Sequence, residues 1–517
     1  MEASSLAATP VDSTAARSGE PPRLKKNAVS YLSNIVIGVA STAPGYSLAA
    51  TIGFIVGIGG IGTHMPAVII VSFIPMFFVA MAYRNMNTAD PDCGTTFSWV
   101  TRAMGPTIGW IAGYTILVSD IVVNANQAQI AGSYGFQLFG LNAAANSTTD
   151  VIILGGVFIV VLTWICWKGI ELSARTQRLL LGFEMTTLVI FAVVALLRAY
   201  IDQPKHYLGV RLDWFNPFTV GFGPLIQGML LGVFLYWGWD TGVSVNEESQ
   251  NSRSGPGKSA MASTLVLIGI FLLVSVAAQA YAGTGYLGDP NNAADIFSAG
   301  LAKNVLGSLH FLLTIAVLTS ATAATQTTIL PAARSALSMA RRGAIPRRFA
   351  SIHATNLVPG SATIWAGVLS LIWFVGIELL STNVLADCVA GLGFLVCYYY
   401  GFTGFSSAIF YRRELFKSVR NFFVLGLLPV LGGLALVGIF VKGIIYYGHA
   451  ANDTSPPFLG LGVPDWIAII GIGSGVVLMF VRRLTAPQFF RERRLVAGDP
   501  IETVTPESAF APAEQML

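Results

Sequence analysis

Charge is scarce in this sequence. Of its 517 residues, 11% are Asp, Glu, Lys or Arg, where a soluble domain carries about a quarter. Cysteine is scarcer: Cys93, Cys166, Cys388 and Cys397 form no C-x-x-C pair. Three of them lie in apolar stretches, so they read as reduced, packing thiols that say nothing of compartment. His64, His206, His310, His353 and His449 are scattered, which removes the spacing a metal site needs. No nucleophile–base pair stands out, so no catalytic residue, metal ligand or cofactor is assigned. A Walker motif is missing, so ATP bound by this chain would not drive its work. Gly57, Gly59 and Gly62 match G-x-G-x-x-G formally, but no strand precedes them and no acid follows at the required distance, so the nucleotide reading is rejected. Basic residues outnumber acidic ones by only 30 to 26. They sit in short loops, without the patch and aromatic platforms that a nucleic acid needs.

What the sequence has is apolar length. The hydrophobic share is 54% and the mean hydropathy +0.66. These values exclude a disordered chain and argue against a soluble enzyme. A membrane span takes about 20 residues. Segments 31–59, 63–83, 106–138, 150–168, 178–199, 219–246, 259–283, 305–337, 360–378, 382–411, 421–443 and 464–483 each supply one. The expected fold is therefore an all-α polytopic membrane protein with twelve transmembrane helices in one transporter-sized domain, residues 28–485. Residues 1–27 have no apolar core ahead of a cleavage site and read as a disordered tail rather than a signal peptide. Residues 486–517 read as a second tail. With the N-terminus inside, 25 Lys/Arg fall in inner segments and 5 in outer ones. That is the bias of the positive-inside rule, and it puts both termini in the cytoplasm. Asn146-Ser-Thr and Asn452-Asp-Thr then fall in outer loops, where they would be glycan acceptors only in a eukaryote.

Two spans carry a break at mid-depth. In the first, Ser41, Thr42, Ala43, Pro44, Gly45 and Tyr46 interrupt the apolar run; Pro44 lacks an N–H and Gly45 tolerates unusual backbone angles. In the sixth, Trp237, Gly238, Trp239 and Asp240 do the same. Each alone is also what an ordinary kink or a packing notch looks like. Together they lie five spans apart, the spacing of an inverted repeat, and paired interruptions point to a transporter's central site. Freed N–H groups there can hold a carboxylate, and freed carbonyls an ammonium.

Span 2 is followed by Pro91, Gly94, Phe97, Arg102, Gly105 and Pro106. The end of span 6 reads Asn246-Glu247-Glu248-Ser249-Gln250-Asn251, and span 8 runs from Arg334 into Gly343-Ala344-Ile345-Pro346. In order and placement these stretches resemble the amino acid–polyamine–organocation (APC) permeases. The resemblance implies a five-plus-five inverted repeat, about 31–199 and 219–411, with two extra helices in 421–483. It also implies a substrate held between spans 1, 3, 6, 8 and 10. The family's Gly-x-Gly-like unwinding in span 1 is here Pro44-Gly45, and only one of its paired glycines after span 2 is kept.

Several residues carry the expected site. Asp240 either meets an amine or a proton, or caps the second half of span 6. Trp237, Trp239 and Tyr46 either gate the pocket and stack on an amine, or pack between helices. By the resemblance, Glu184 stands in span 5 where several bacterial permeases have a lysine in place of a sodium ion. It either carries a coupling proton or pairs with Arg178 or a facing helix. Asp120 in span 3 either carries a coupling proton, lines the pathway or bonds between helices, and Asn124 and Gln127 on the same face either line the pathway or bond between helices. Ser320 and Thr325 in span 8 either line the pathway and complete a cation site with span 1 or bond between helices. The functional expectation is a secondary active transporter for an amino acid or related organic amine, coupled to protons or, less favoured, to Na+. Exchange on the same fold and a non-transporting sensor are the alternatives.

Overall fold

The computed structural model describes residues 24–289, 292, 296–381, 383–449 and 455–501. Residues 1–23, the Asn452 acceptor and the end of the second tail lie outside the described residues. No strand of more than an isolated bridge occurs among those described. Eleven described helices are long and apolar enough to cross a membrane, and the fold is all-α and polytopic.

The first span is two helices, α1 (Tyr31–Thr42) and α2 (Pro44–Gly57). Then come α3 (Met65–Ala89), a short α4 (Thr96–Met104), α5 (Pro106–Leu138), α6 (Thr148–Lys168) and α7 (Ile170–Asp202). The sixth expected span is α8 (Phe222–Tyr236) followed, after an interruption, by the single turn α9 (Thr241–Ser244). The remaining spans are α10 (Gly255–Leu287), α11 (Phe311–Arg341), α12 (Gly360–Leu380), α13 (Val384–Phe410), α14 (Leu428–Tyr447) and α15 (Val463–Thr485). At about 1.5 Å per residue, α8 spans about 22 Å, short of the roughly 30 Å hydrocarbon core. That is why eleven helices qualify where twelve segments were expected: the sixth segment is broken.

Burial sorts the helices. Of the apolar window in each, 94% is inside the protein for α13 and 89% for α1–α2, against 28% for α6 and α15. The first two therefore form the centre. α6 and α15 form the rim and turn Ile153, Val157, Trp164, Val477 and Phe480 outward, as a helix facing lipid should. α5 packs along α11, α10 along α3, and α14 along α13.

The helix α4 was not expected. It occupies the Phe97–Arg102 stretch, and its residues are almost all buried. Its burial follows from what meets it at the end of the bundle richest in arginine, called here the basic end. Asp90 pairs with Arg102, Glu248 with Arg334 at 2.6 Å, Glu247 with Arg341 at 2.9 Å and Asp92 with Arg342 at 3.4 Å. The three stretches that resemble the permeases are thus one interlocked network. Asp92, Cys93 and Glu247 bring ligand-type atoms within 4.8 Å of one another. Arginines already hold both acids, so this cluster is part of the ion-pair network.

The first and last described segments pack against it. Leu24 is buried against Cys93, Leu337 and Ile352. Past α15, the Phe489 ring stacks on Phe97 at 5.7 Å, Glu492 reaches Arg342 at 3.3 Å, and the Leu495 N–H donates to the Arg102 carbonyl at 2.7 Å. Residues 486–501 lie on the bundle.

Candidate functional site

The first break is one residue wide. Ala43 sits in the left-handed region at φ 50°, which costs an L-residue about 1–2 kcal/mol. Its N–H still closes α1 on the Val39 and Ala40 carbonyls, both at 3.2 Å. Pro44 then opens α2, where a missing N–H does no harm. The next two N–H groups have no partner within the helix. Gly45 N–H donates to Glu184 Oε1 at 2.7 Å, and Tyr46 N–H donates to Ser320 Oγ at 3.1 Å. The Ser320 hydroxyl donates to the same Glu184 oxygen at 2.7 Å. So this helix end does hold a carboxylate, directly through Gly45 and by way of the Ser320 hydroxyl from Tyr46, and it is the protein's own. A negative charge at a helix N-terminus is favourable, and Glu184 takes that place, bonded to the facing helices α2 and α11 rather than to Arg178. Its other oxygen is buried without a hydrogen-bond partner.

The second break needs close backbone contact. Trp237 ends α8, with its N–H on the Phe234 carbonyl at 3.0 Å. Gly238 has φ 115°, and a Cβ there would lie 2.8 Å from the Ser41 carbonyl carbon and oxygen. Only glycine meets both demands. On the facing helix, a Cβ at Gly38 would lie 2.9 Å from the Trp239 carbonyl oxygen. The two breaks are therefore packed backbone to backbone. A hydrogen bond of 2.8 Å between the Ser41 and Thr241 hydroxyls fastens them, while the Thr42 hydroxyl turns back to the Gly38 carbonyl at 3.1 Å.

Asp240 stands where α9 begins, but its side chain makes no capping bond. Instead it accepts the Tyr400 hydroxyl at 2.8 Å and the Tyr83 hydroxyl at 3.2 Å. Tyr83 shares a hydrogen bond with Thr96 at 2.7 Å, and Thr96 shares one with Thr403 at 2.6 Å. Three rings close around the acid: Tyr83 and Trp239 lie 4.9 Å apart, Trp239 and Tyr400 5.1 Å, Tyr83 and Tyr400 5.6 Å. The Trp237 indole N–H donates to Tyr399. Trp239 Nε1 and the Tyr46 hydroxyl are buried with no hydrogen-bond partner, and the Tyr46 ring meets Phe234 edge-on at 6.1 Å.

The span 3 and span 8 residues divide. Asn124 donates to the Ser370 hydroxyl at 3.0 Å and accepts from Thr328. Gln127 accepts from Thr325 at 3.2 Å. These are bonds between helices. Ser320 belongs to the first break. Asp120 is 3% exposed, and one of its oxygens has no hydrogen-bond partner. The charge of Asp240 acts on it, and both acids act on Tyr399. Neither Asp120 nor Asp240 nor Glu184 has an ion-pair partner among the described residues.

The sequence reading missed Tyr83, Tyr399, Tyr400, Thr96 and Thr403. One signal was present: Tyr398-Tyr399-Tyr400 is a run of three phenols inside an apolar span, and buried phenols need partners.

Comparison with known proteins fits this geometry. The family model "Amino acid permease" matches residues 29–474, and the chain belongs to that family. It is 25% identical to the branched-chain amino acid permease of Lactococcus lactis subsp. cremoris (strain MG1363), over 54% of this chain and 61% of that one. It is 21% identical to the arginine/ornithine antiporter of Latilactobacillus sakei, over 81% and 90% of the two chains. It is 22% identical to the low-affinity putrescine importer of Escherichia coli (strain K12), over 79% and 86%. The chain spans about three fifths of the length of the first of these relatives.

Proposed function

We propose that this amino acid permease is a secondary active transporter that carries an amino acid or a related organic amine by alternating access, with protons as the coupling ion. One observation carries the reading: two broken spans are packed against each other at mid-depth, with a buried acid at each break. Irregular backbone at that depth needs a cavity or buried protein around it, and an acid there is costly enough to be functional by default. The repeats are 31–199 and 219–411, the sixth span is α8 with α9, and both termini are cytoplasmic, following the Lys/Arg bias.

The substrate's ammonium meets Asp240 and the rings of Trp239, Tyr83 and Tyr400, which attract a cation through their faces. Glu184 is the coupling acid. As a carboxylate it clips α2 to α7 and α11 through Gly45 and Ser320. A proton on it removes the charge that these donors hold, and the first break is then free to move against its neighbours. The two repeats rock about the site and expose it to one side at a time.

Similarity to an arginine/ornithine antiporter over most of both chains supports a second reading, exchange of one substrate for another. One experiment separates the two. The protein is reconstituted into vesicles, acid is placed outside without sodium, and uptake of labelled amino acids and amines is followed for the wild type and Glu184→Gln. Proton-coupled transport requires accumulation above equilibrium that collapses with the gradient and is lost in the variant. Uptake only into preloaded vesicles, independent of the gradient, would replace it with exchange.

A further inference from the structure

The N-terminal end of α2 already carries an anion. Pro44 has no N–H, Gly45 donates to Glu184, Tyr46 donates to Ser320, and Ser47 N–H donates to the Ala43 carbonyl at 2.8 Å. The first turn of this helix has no free donor left. A substrate carboxylate brought here would have to displace Glu184 or share the helix end with it, and two buried like charges at one site repel strongly.

The second break makes the opposite demand. Asp240 is 8% exposed, and the side chains that hold it are the two phenols of Tyr400 and Tyr83. Asp120 is 3% exposed and keeps an oxygen without a hydrogen-bond partner. No lysine or arginine pairs with either among the described residues. Buried charges that lack a partner call for one.

We infer that Glu184 is a specificity-determining residue: it fills the place of a substrate carboxylate at the first break, so the preferred substrate is an organic amine cation without a carboxylate, held by Asp240 and Asp120. This rests on the transporter reading above and narrows it. The carboxyl group of an amino acid is then a liability, because it meets a helix end that is already satisfied.

The test compares amino acids with the amines left when their carboxylate is removed. Lysine with cadaverine, ornithine with putrescine, valine with isobutylamine and phenylalanine with phenethylamine are measured by equilibrium binding to the purified full-length protein and by uptake into vesicles. In the best-bound pair, the amine is expected to bind wild type at least ~10-fold more tightly than its parent. Glu184→Ala vacates the helix end. The parent amino acid should then bind at least ~10-fold more tightly than it binds wild type. Glu184→Gln keeps the shape and loses the charge, and a smaller gain for the parent is expected. The wild-type ranking needs no variant to fold. A wild type that binds and accumulates amino acids in preference to amines would overturn the inference and leave the transporter reading standing. So would a Glu184→Ala protein that binds the amine as before but the parent no better. Absence of binding and uptake for every compound in wild type would bring down the transporter reading with it.

Discussion

The protein keeps its acids in two ways. At the basic end, Asp90, Asp92, Glu247 and Glu248 each lie against an arginine. At mid-depth, Asp120, Glu184 and Asp240 have hydroxyl or backbone N–H partners at most, and no cation. Asp90 and Glu248 are as buried as the three acids at mid-depth, so burial alone does not separate the groups. The partner does. An arginine neutralises an acid permanently and ties two segments together. A hydroxyl leaves the charge in place for something that arrives later. The first arrangement suits a closure at the end of a bundle, and the second suits a site.

Substitutions that remove one acid at a time should therefore fall into two classes. The largest effect is expected for Asp240→Asn: uptake reduced on the order of 100-fold, from loss of charge-assisted bonds to the substrate, with a melting temperature close to wild type. Glu248→Gln should do the reverse. It strands Arg334, which is 1% exposed, and breaking a buried pair costs about 3–5 kcal/mol; unfolding in detergent would read this as a large drop in melting temperature. If Asp240→Asn unfolds the protein as readily as Glu248→Gln, the distinction between the two sets of acids is wrong. Gly238→Ala tests the contact that brings the breaks together. A positive φ and a 2.8 Å approach to the Ser41 carbonyl should cost about 1–3 kcal/mol. Uptake should fall further than that loss of stability explains, because the substitution pushes the second break away from Ser41 and Thr42 in the first.

Much of this was legible in the sequence, for definite reasons. Twelve apolar segments imply the spans because each spanning helix must satisfy its own backbone. Pro44 and Gly238 mark the breaks because their chemistry is local: a missing N–H in one, a backbone angle closed to other residues in the other. The partners were not legible. Glu184 lies 139 positions from Gly45, and Tyr400 lies 160 from Asp240. No periodicity links residues that far apart, so the partners of Glu184 and Asp240 cannot be read along the chain. α4 escaped for another reason. Thr96–Met104 is too short and too polar to read as a span, and its burial comes from the arginine network and from residues 486–501 folding back over it.

The smallest effect concerns Asp92, and it is where the two sets of acids can be told apart by pH alone. Burial by itself would raise the pKa of this acid. Arg342 and Arg102, with the hydroxyls of Ser338 and Ser98 at 2.7 Å, outweigh burial and hold it well below the usual carboxylate range. A group whose pKa is lowered by folding stabilises the fold above its unfolded value, near ~4, and that contribution fades as pH falls through the folded pKa. Asp92→Asn should therefore lower the melting temperature by the same modest amount at every pH from about 5 to 8, and the gap should narrow only below about 4. On the proton-coupled reading, uptake is expected to vary with pH inside the range where this gap is flat, because that reading assigns the proton to the acids that lack a cation. A gap that opens or closes between about pH 5 and 8, in step with uptake, would place the proton-sensitive acid in the arginine network and remove the reason for assigning it to the breaks.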